Sequence, residues 1–216
     1  MSQIYSPGAA ILMLLFCFVA PGCGDAAAEQ DDRDAFDAYQ AAKNAHNVDG
    51  MIALIDPENL KHDDYLVQVA RAGSKGDIMR LSAYDRLQVT MLRAAFKADE
   101  LKNLNGRKLL AVSVEQDWDE VGEADEQVSL GDVTIKPPRA LGEVEVDGER
   151  TGLKLEFVNV DHKWVLNKDC LDGVPNRLIQ RIAQLARMSE DDVVLRFASR
   201  LLGREVRKSI WDEPPK

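Results

Sequence analysis

An α+β fold is what this 216-residue sequence predicts, and three observations predict it. Apolar residues recur at helical spacing from Ala35 to about Gly106, and they alternate every second residue from Leu110 to Leu166. After Pro175 the helical spacing returns. Alternating strands joined by tight turns make an antiparallel sheet with one packed face, and helices supply the packing.

Taken in order, Phe36, Tyr39 and Lys43 follow at helical spacing, and Met51, Leu54 and Ile55 start a second short turn after Asn47-Val48-Asp49-Gly50. Asp56-Pro57 ends it, because the residue before proline avoids the α region. A helix is expected from Glu58 to Arg71, with Leu60, Tyr65, Leu66 and Val69 apolar and Gly73 just past its end. Ser82 reads as an N-cap with Asp85 placed to bond back. The helix that follows carries Tyr84, Leu87, Met91, Ala95 and Ala98 and stops near Asn105-Gly106.

The period then changes. Leu110, Val112 and Val114 alternate with Ala111 and Ser113, which predicts a first strand. Val128 and Leu130, then Val133 and Ile135, flank a two-residue turn at Gly131-Asp132. Val144 and Val146 lead to a turn at Asp147-Gly148, and Leu153, Leu155 and Phe157 to one at Asp161-His162-Lys163, before Trp164-Val165-Leu166. Pro175 to Arg187 then reads as a helix with Leu178, Ile182 and Leu185 on one side. Ser189 caps another that buries Val194, Phe197, Ala198 and Leu201 and closes at Gly203. The tail prolines Pro214 and Pro215 cannot continue a helix.

The first 24 residues carry no Asp, Glu, Lys or Arg, and residues 9–20 are unbroken apolar sequence. Twelve helical residues reach about 18 Å against a bilayer core of about 30 Å, so residues 1–22 read as a signal peptide. Val19-Ala20-Pro21-Gly22-Cys23 resembles the lipobox of bacterial lipoproteins. That resemblance implies lipidation of Cys23 as the new N-terminus and a place in the bacterial cell envelope, lipid-anchored or periplasmic. Ordinary cleavage after Ala28 is the alternative, since Ala26-Ala27-Ala28 also has small residues at the right spacing. Residues 23–34, rich in Asp and Glu, are expected to be a flexible tether.

The net charge is −10, which argues against nucleic-acid binding. It is unevenly placed: residues 174–216 hold nine basic and six acidic side chains and are locally positive. Cysteine is nearly absent, with Cys170 alone after Cys23, so burial rather than disulfides must hold the fold.

Phe36 to Pro57 resembles the opening helix pair of the NTF2-like superfamily, and Leu155 to Leu166, with its Trp164, is similar to the closing hairpin of that group. The resemblance covers residues 35–170 as an α+β domain, N-terminal helices packed on a curved antiparallel sheet, a cone; residues 171–216 form a two-helix extension outside it. It implies a cone-shaped pocket, with no family catalytic residue matched in this chain. Tyr39, Tyr65, Tyr84, Phe157 and Trp164 are the candidates to line one.

Catalytic signatures are not read here. His46, His62 and His162 are read as helix-end or turn residues lacking ligand spacing, and no metal or cofactor site is expected. Glu115 to Glu126 is an acidic run, read as a solvated loop. Arg196, Arg200, Arg204 and Arg207 are the candidates for a partner or anion contact. The expectation is therefore a non-catalytic envelope lipoprotein or secreted protein that binds a small apolar ligand or a protein partner, and meets the membrane through a lipid on Cys23. The alternatives are a small pocket isomerase or hydrolase using a buried carboxylate, and an assembly adaptor docking through its C-terminal helices.

Overall fold

A computed structural model of the chain describes residues 23–116, 118 and 128–215. Helices α1 (Cys23–Asn44), α2 (Val48–Ile52), α3 (Pro57–Ala72), α4 (Lys75–Met79), α5 (Ala83–Ala95), α6 (Ala98–Lys102) and α7 (Gly106–Glu115) come first. Strands β1 (Val128–Lys136), β2 (Arg139–Val146), β3 (Glu149–Val160) and β4 (Lys163–Asn167) follow, and then α8 (Asp169–Ala186), α9 (Glu190–Leu201) and a short 3-10 turn at Lys208–Trp211. The fold is α+β, with a four-stranded antiparallel sheet in the order β1-β2-β3-β4.

Two apolar cores sit side by side. In one, Leu130, Ala140, Val144, Leu155, Phe157 and Trp164 line a single sheet face and receive Phe36 from α1. The other is all helical: Leu66 of α3, Leu92 of α5, Leu109 of α7, Ile179 of α8, Val194 of α9 and Trp211 share one cluster. The C-terminal helices thus share a core with the early ones. A smaller cluster of Ala42, Met51, Ile55, Leu110 and Val114 joins α1, α2 and α7 between them.

Several boundaries differ from the sequence reading. Residues 23–34, expected as a tether, are the first turns of α1; Ala, Glu and Gln in this stretch are strong helix formers, and Arg33 donates to the carbonyls of Leu130 and Gly131. Leu110 to Val114 is helix, not strand. Asn105 is the N-cap of α7 rather than a stop, its side chain accepting from the Lys108 amide. The buried set Leu109, Leu110, Ser113 and Val114 has helical spacing. Gly106 is required there, because a Cβ would lie 2.3 Å from the Leu60 carbonyl oxygen. The helix from Ser82 breaks after Ala95, with extended backbone at Phe96 and Lys97, so Ala98 belongs to a separate helix. Ser82 does cap α5, but the Asp85 carboxylate meets His62 at 3.0 Å.

Gly131-Asp132 is a bulge inside β1, where the register with β2 shifts, and the first hairpin turns at Pro137-Pro138. The expected turns at Asp147-Gly148 and Asp161-His162 are present, each with both residues at positive φ, as a two-residue primed turn needs. Helix α8 begins at Asp169, with Pro175 inside it.

The outer edge of β4 is closed rather than open. The Leu166 amide donates to Leu54 O at 2.8 Å, and the Asp56 amide donates to Leu166 O at 2.9 Å. Beside this seam runs a polar chain linking sheet to helices. Asn59, 1% exposed, donates to the Asn167 side chain and accepts from the Lys168 amide. The Asn167 side chain donates in turn to Glu156, while the Lys168 ammonium sits 2.8 Å from the buried Asp63 carboxylate.

Candidate functional site

The feature that stands out chemically is the outward face of the α8–α9 hairpin. Three groups on α5, spaced one turn apart, fix how that hairpin and the tail behind it are held. Arg86 reaches the acidic first turn of α9, 3.0 Å from Asp191. Thr90 accepts from the Trp211 indole at 2.7 Å. Arg93, 3% exposed, donates to the carbonyls of Val69, Ala70 and Gly73 at the end of α3, and to those of Ile210 and Glu213 in the tail. Burial lowers the affinity of Arg93 for its proton, and the partial negative charge of the α3 C-terminus answers it. The α5 N-terminus is tied in as well, the Tyr84 amide donating to the Asn176 side chain on α8 at 2.9 Å.

Held this way, α8 turns Ile179 and Ala183 into the core, and α9 turns Val193, Val194 and Ala198 inward. At 100° per residue, Arg177 and Arg181 then fall on the opposite side of α8, and Arg196 on the opposite side of α9, with Arg200 at its margin, about 20° from Val193. All four are exposed, as is Arg187 at the corner between the helices. Two apolar side chains share this surface. Leu178 is 41% exposed and Leu185 77% exposed. Both were expected to line one side with Ile182, and of the three only Ile182 packs against the helical core.

The electrostatics of this face are distinctive. Arg177, Arg181, Arg187, Arg196 and Arg200 hold no hydrogen bond or ion pair among the described residues. Every other arginine does: Arg71 and Arg204 donate to carbonyls, and Arg107, Arg139 and Arg150 pair with carboxylates. The nearby acids are occupied, Asp191 by Arg86 and Lys208, and Asp192 by the Ser189 hydroxyl at 2.7 Å.

The four arginines singled out from sequence therefore separate. Arg196 and Arg200 belong to the open face. Arg204 is engaged with Ala94 O, and Arg207 with Glu205 at 2.9 Å, which lowers the Glu205 pKa and raises that of Arg207. Arg204 and Arg207 line, with Arg93, Glu205 and Glu213, an open groove of about 430 Å³ whose basic groups are already satisfied.

The aromatic candidates do not line one cavity. Phe157 and Trp164 are packed in the sheet core with Tyr39 at its margin, Tyr84 belongs to the helical core, and Tyr65 is 48% exposed on α3. A cleft of about 30 Å³ lies at Tyr84, Leu87, Met91 and Trp118, room for about one water molecule. His46 and His162 are exposed at turns, whereas His62 lies within α3 beside Asp85. Trp211 in the tail is fully buried.

The Cys23 and Cys170 side chains and most of the acidic run, residues 117 and 119–126, lie outside the described residues. Among the described residues no group of His, Cys, Asp and Glu is placed to hold a metal ion, and no helix is long and apolar enough to cross a membrane.

Sequence reading missed Arg177, Arg181 and Arg93. The first two had a signal, two arginines four residues apart beside exposed leucines. No family model matches the chain, and comparison with curated proteins and with solved structures gives no match to either.

Proposed function

We propose that this chain is a non-catalytic binding protein of the bacterial cell envelope, lipid-anchored or secreted, whose working surface is the outward face of α8 and α9. The observation that carries the reading is that, among the described residues, the arginines of that hairpin are the ones left without partners, around two exposed leucines. A surface of this kind recruits an acidic partner, because charge steers the encounter and the apolar centre holds it.

The charge-free apolar leader and the lipobox-like Val19 to Cys23 support the envelope placement. For the sheet half we favour an NTF2-like relationship, supported by the seating of Phe36 against Phe157 and Trp164. The five helices between α2 and the sheet make it a heavily elaborated relative.

Intact mass of the protein extracted from its own envelope tests the reading, under native and then denaturing conditions. A denatured mass that includes a diacylglycerol at Cys23, with no small molecule released on denaturation, is the expected outcome. A chain cleaved after Ala28 would remove the anchor. Release of a small molecule would move the function to a ligand pocket instead.

A further inference from the structure

We infer that the α8–α9 face seats the protein on an anionic lipid surface. The inference rests on the envelope reading above and names the partner.

Charge selects the class of occupant. A second copy of this chain is disfavoured, because a two-fold contact through Leu178 and Leu185 would bring Arg181 against its own counterpart, with Arg177 alongside. Like charges so placed repel. An anionic occupant is favoured, and the spread of the arginines decides its kind. They are distributed over both helices and the corner between them, with Arg187 at the helix end in the left-handed conformation. No carboxylate partner among the described residues fixes the register of any of them. A continuous sheet of phosphate groups serves such an array at every position, while one acidic helix would serve a single line of it. Guanidinium forks suit phosphate oxygens.

The apolar component fits the same surface. Leu185 is 77% exposed near the hairpin corner, within two residues of Arg187. An interfacial helix places such leucines at the acyl boundary with arginines at headgroup level. Residues 174–216 are net positive within a chain of net charge −10, so anionic headgroups favour contact through this segment over the rest.

The experiment is a vesicle partition assay on the full chain. Vesicles of pure phosphatidylcholine report what a lipid on Cys23 or the apolar leader contributes. Vesicles with three parts in ten phosphatidylglycerol add the anionic increment. The expected result is an increment of at least ten-fold at low salt that falls as salt rises. The Arg181→Glu variant and the Arg196→Glu variant should each cut the increment by about five-fold or more, with binding to neutral vesicles unchanged. Leu185→Ser should weaken the anionic increment as well. Thermal melting of each variant, expected to match the parent because all three side chains are exposed, separates loss of contact from loss of fold.

Equal partition on both vesicle types, or an increment indifferent to Arg181→Glu, would overturn the inference. So would a photocross-link from position 185 to an acidic envelope protein without any anionic increment, or a dimer by sedimentation that buries Leu185. Loss of neutral-vesicle binding alone would count against the lipid anchor and leave the α8–α9 face standing.

Discussion

A guanidinium carries five N–H groups in a rigid fork, and Arg93 sets them against five carbonyl oxygens, three from the α3 end and two from the tail. No carboxylate is among those partners. Replacing Arg93 by Met should therefore strand buried carbonyls and cost about 3 kcal/mol or more by urea unfolding. Arg93→Lys should recover only part of this, since an ammonium has three donors and no fork. Cleavage by protease between Glu205 and Lys216 should quicken in both variants. The sequence around Arg93, Thr90-Met91-Leu92-Arg93-Ala94-Ala95, shows an isolated charge in an apolar run, which was the available sign. Its partners were not legible, because a backbone carbonyl has no residue identity to read. Arg196 was legible for the opposite reason, since the helical wheel sets it away from Val194; the same wheel misplaced Leu201, which was expected inside and is 43% exposed, while Val193 is buried in its stead.

At the scale of elements, the caps were the most readable features and the short strands the least. Ser82 and Ser189 were assigned from sequence and both accept from the amide three residues on. Ser74 was not assigned, although it heads a reciprocal capping box with Asp77 on α4. The bonds from Ser74 hold the Asp77 pKa below the ordinary carboxylate value. A group depressed in the folded state adds stability above its unfolded pKa and loses it as pH falls through the folded one. The α4 cap should thus weaken only on the acid side of about pH 4. Hydrogen exchange of the Asp77 and Ile78 amides should report this, with Ser74→Ala flattening the dependence and lowering stability by about 1 kcal/mol. The β3–β4 turn makes a second case. His162 has φ of 63°, so His162→Gly should stabilise by about 1 kcal/mol, read as a rise in Tm. The α7 region misled because three alternating apolar residues satisfy a strand pattern as well as a helix; what decided it was burial against α3, where the Gly106 amide donates to Asp64 at 2.6 Å.

For the molecule as a whole, the order of helices, sheet and helices was legible, but not that α8 and α9 would share one core with α3, α5 and α7. Contacts between residues a hundred positions apart leave no local period. The Asn59 chain belongs to this class, since its partners Asn167 and Lys168 lie on the far side of the sheet in sequence. Asn59→Ala should leave the Lys168 amide without its acceptor and cost about 2 kcal/mol. It should also loosen the two cores from one another. Trp164 reports the sheet core and Trp211 the helical one. Single-tryptophan versions of the parent should melt together, and those carrying Asn59→Ala should separate.

The fastening of the C-terminal tail has an evolutionary consequence. Every residue type offers the same carbonyl, so positions 210 and 213 can exchange side chains widely without undoing the grip of Arg93. Drift is thereby permitted along the strap and forbidden at its clasp. A saturation library should show it as tolerance at Glu213, tolerance of most apolar choices at Ile210, and near intolerance at Arg93 and Trp211.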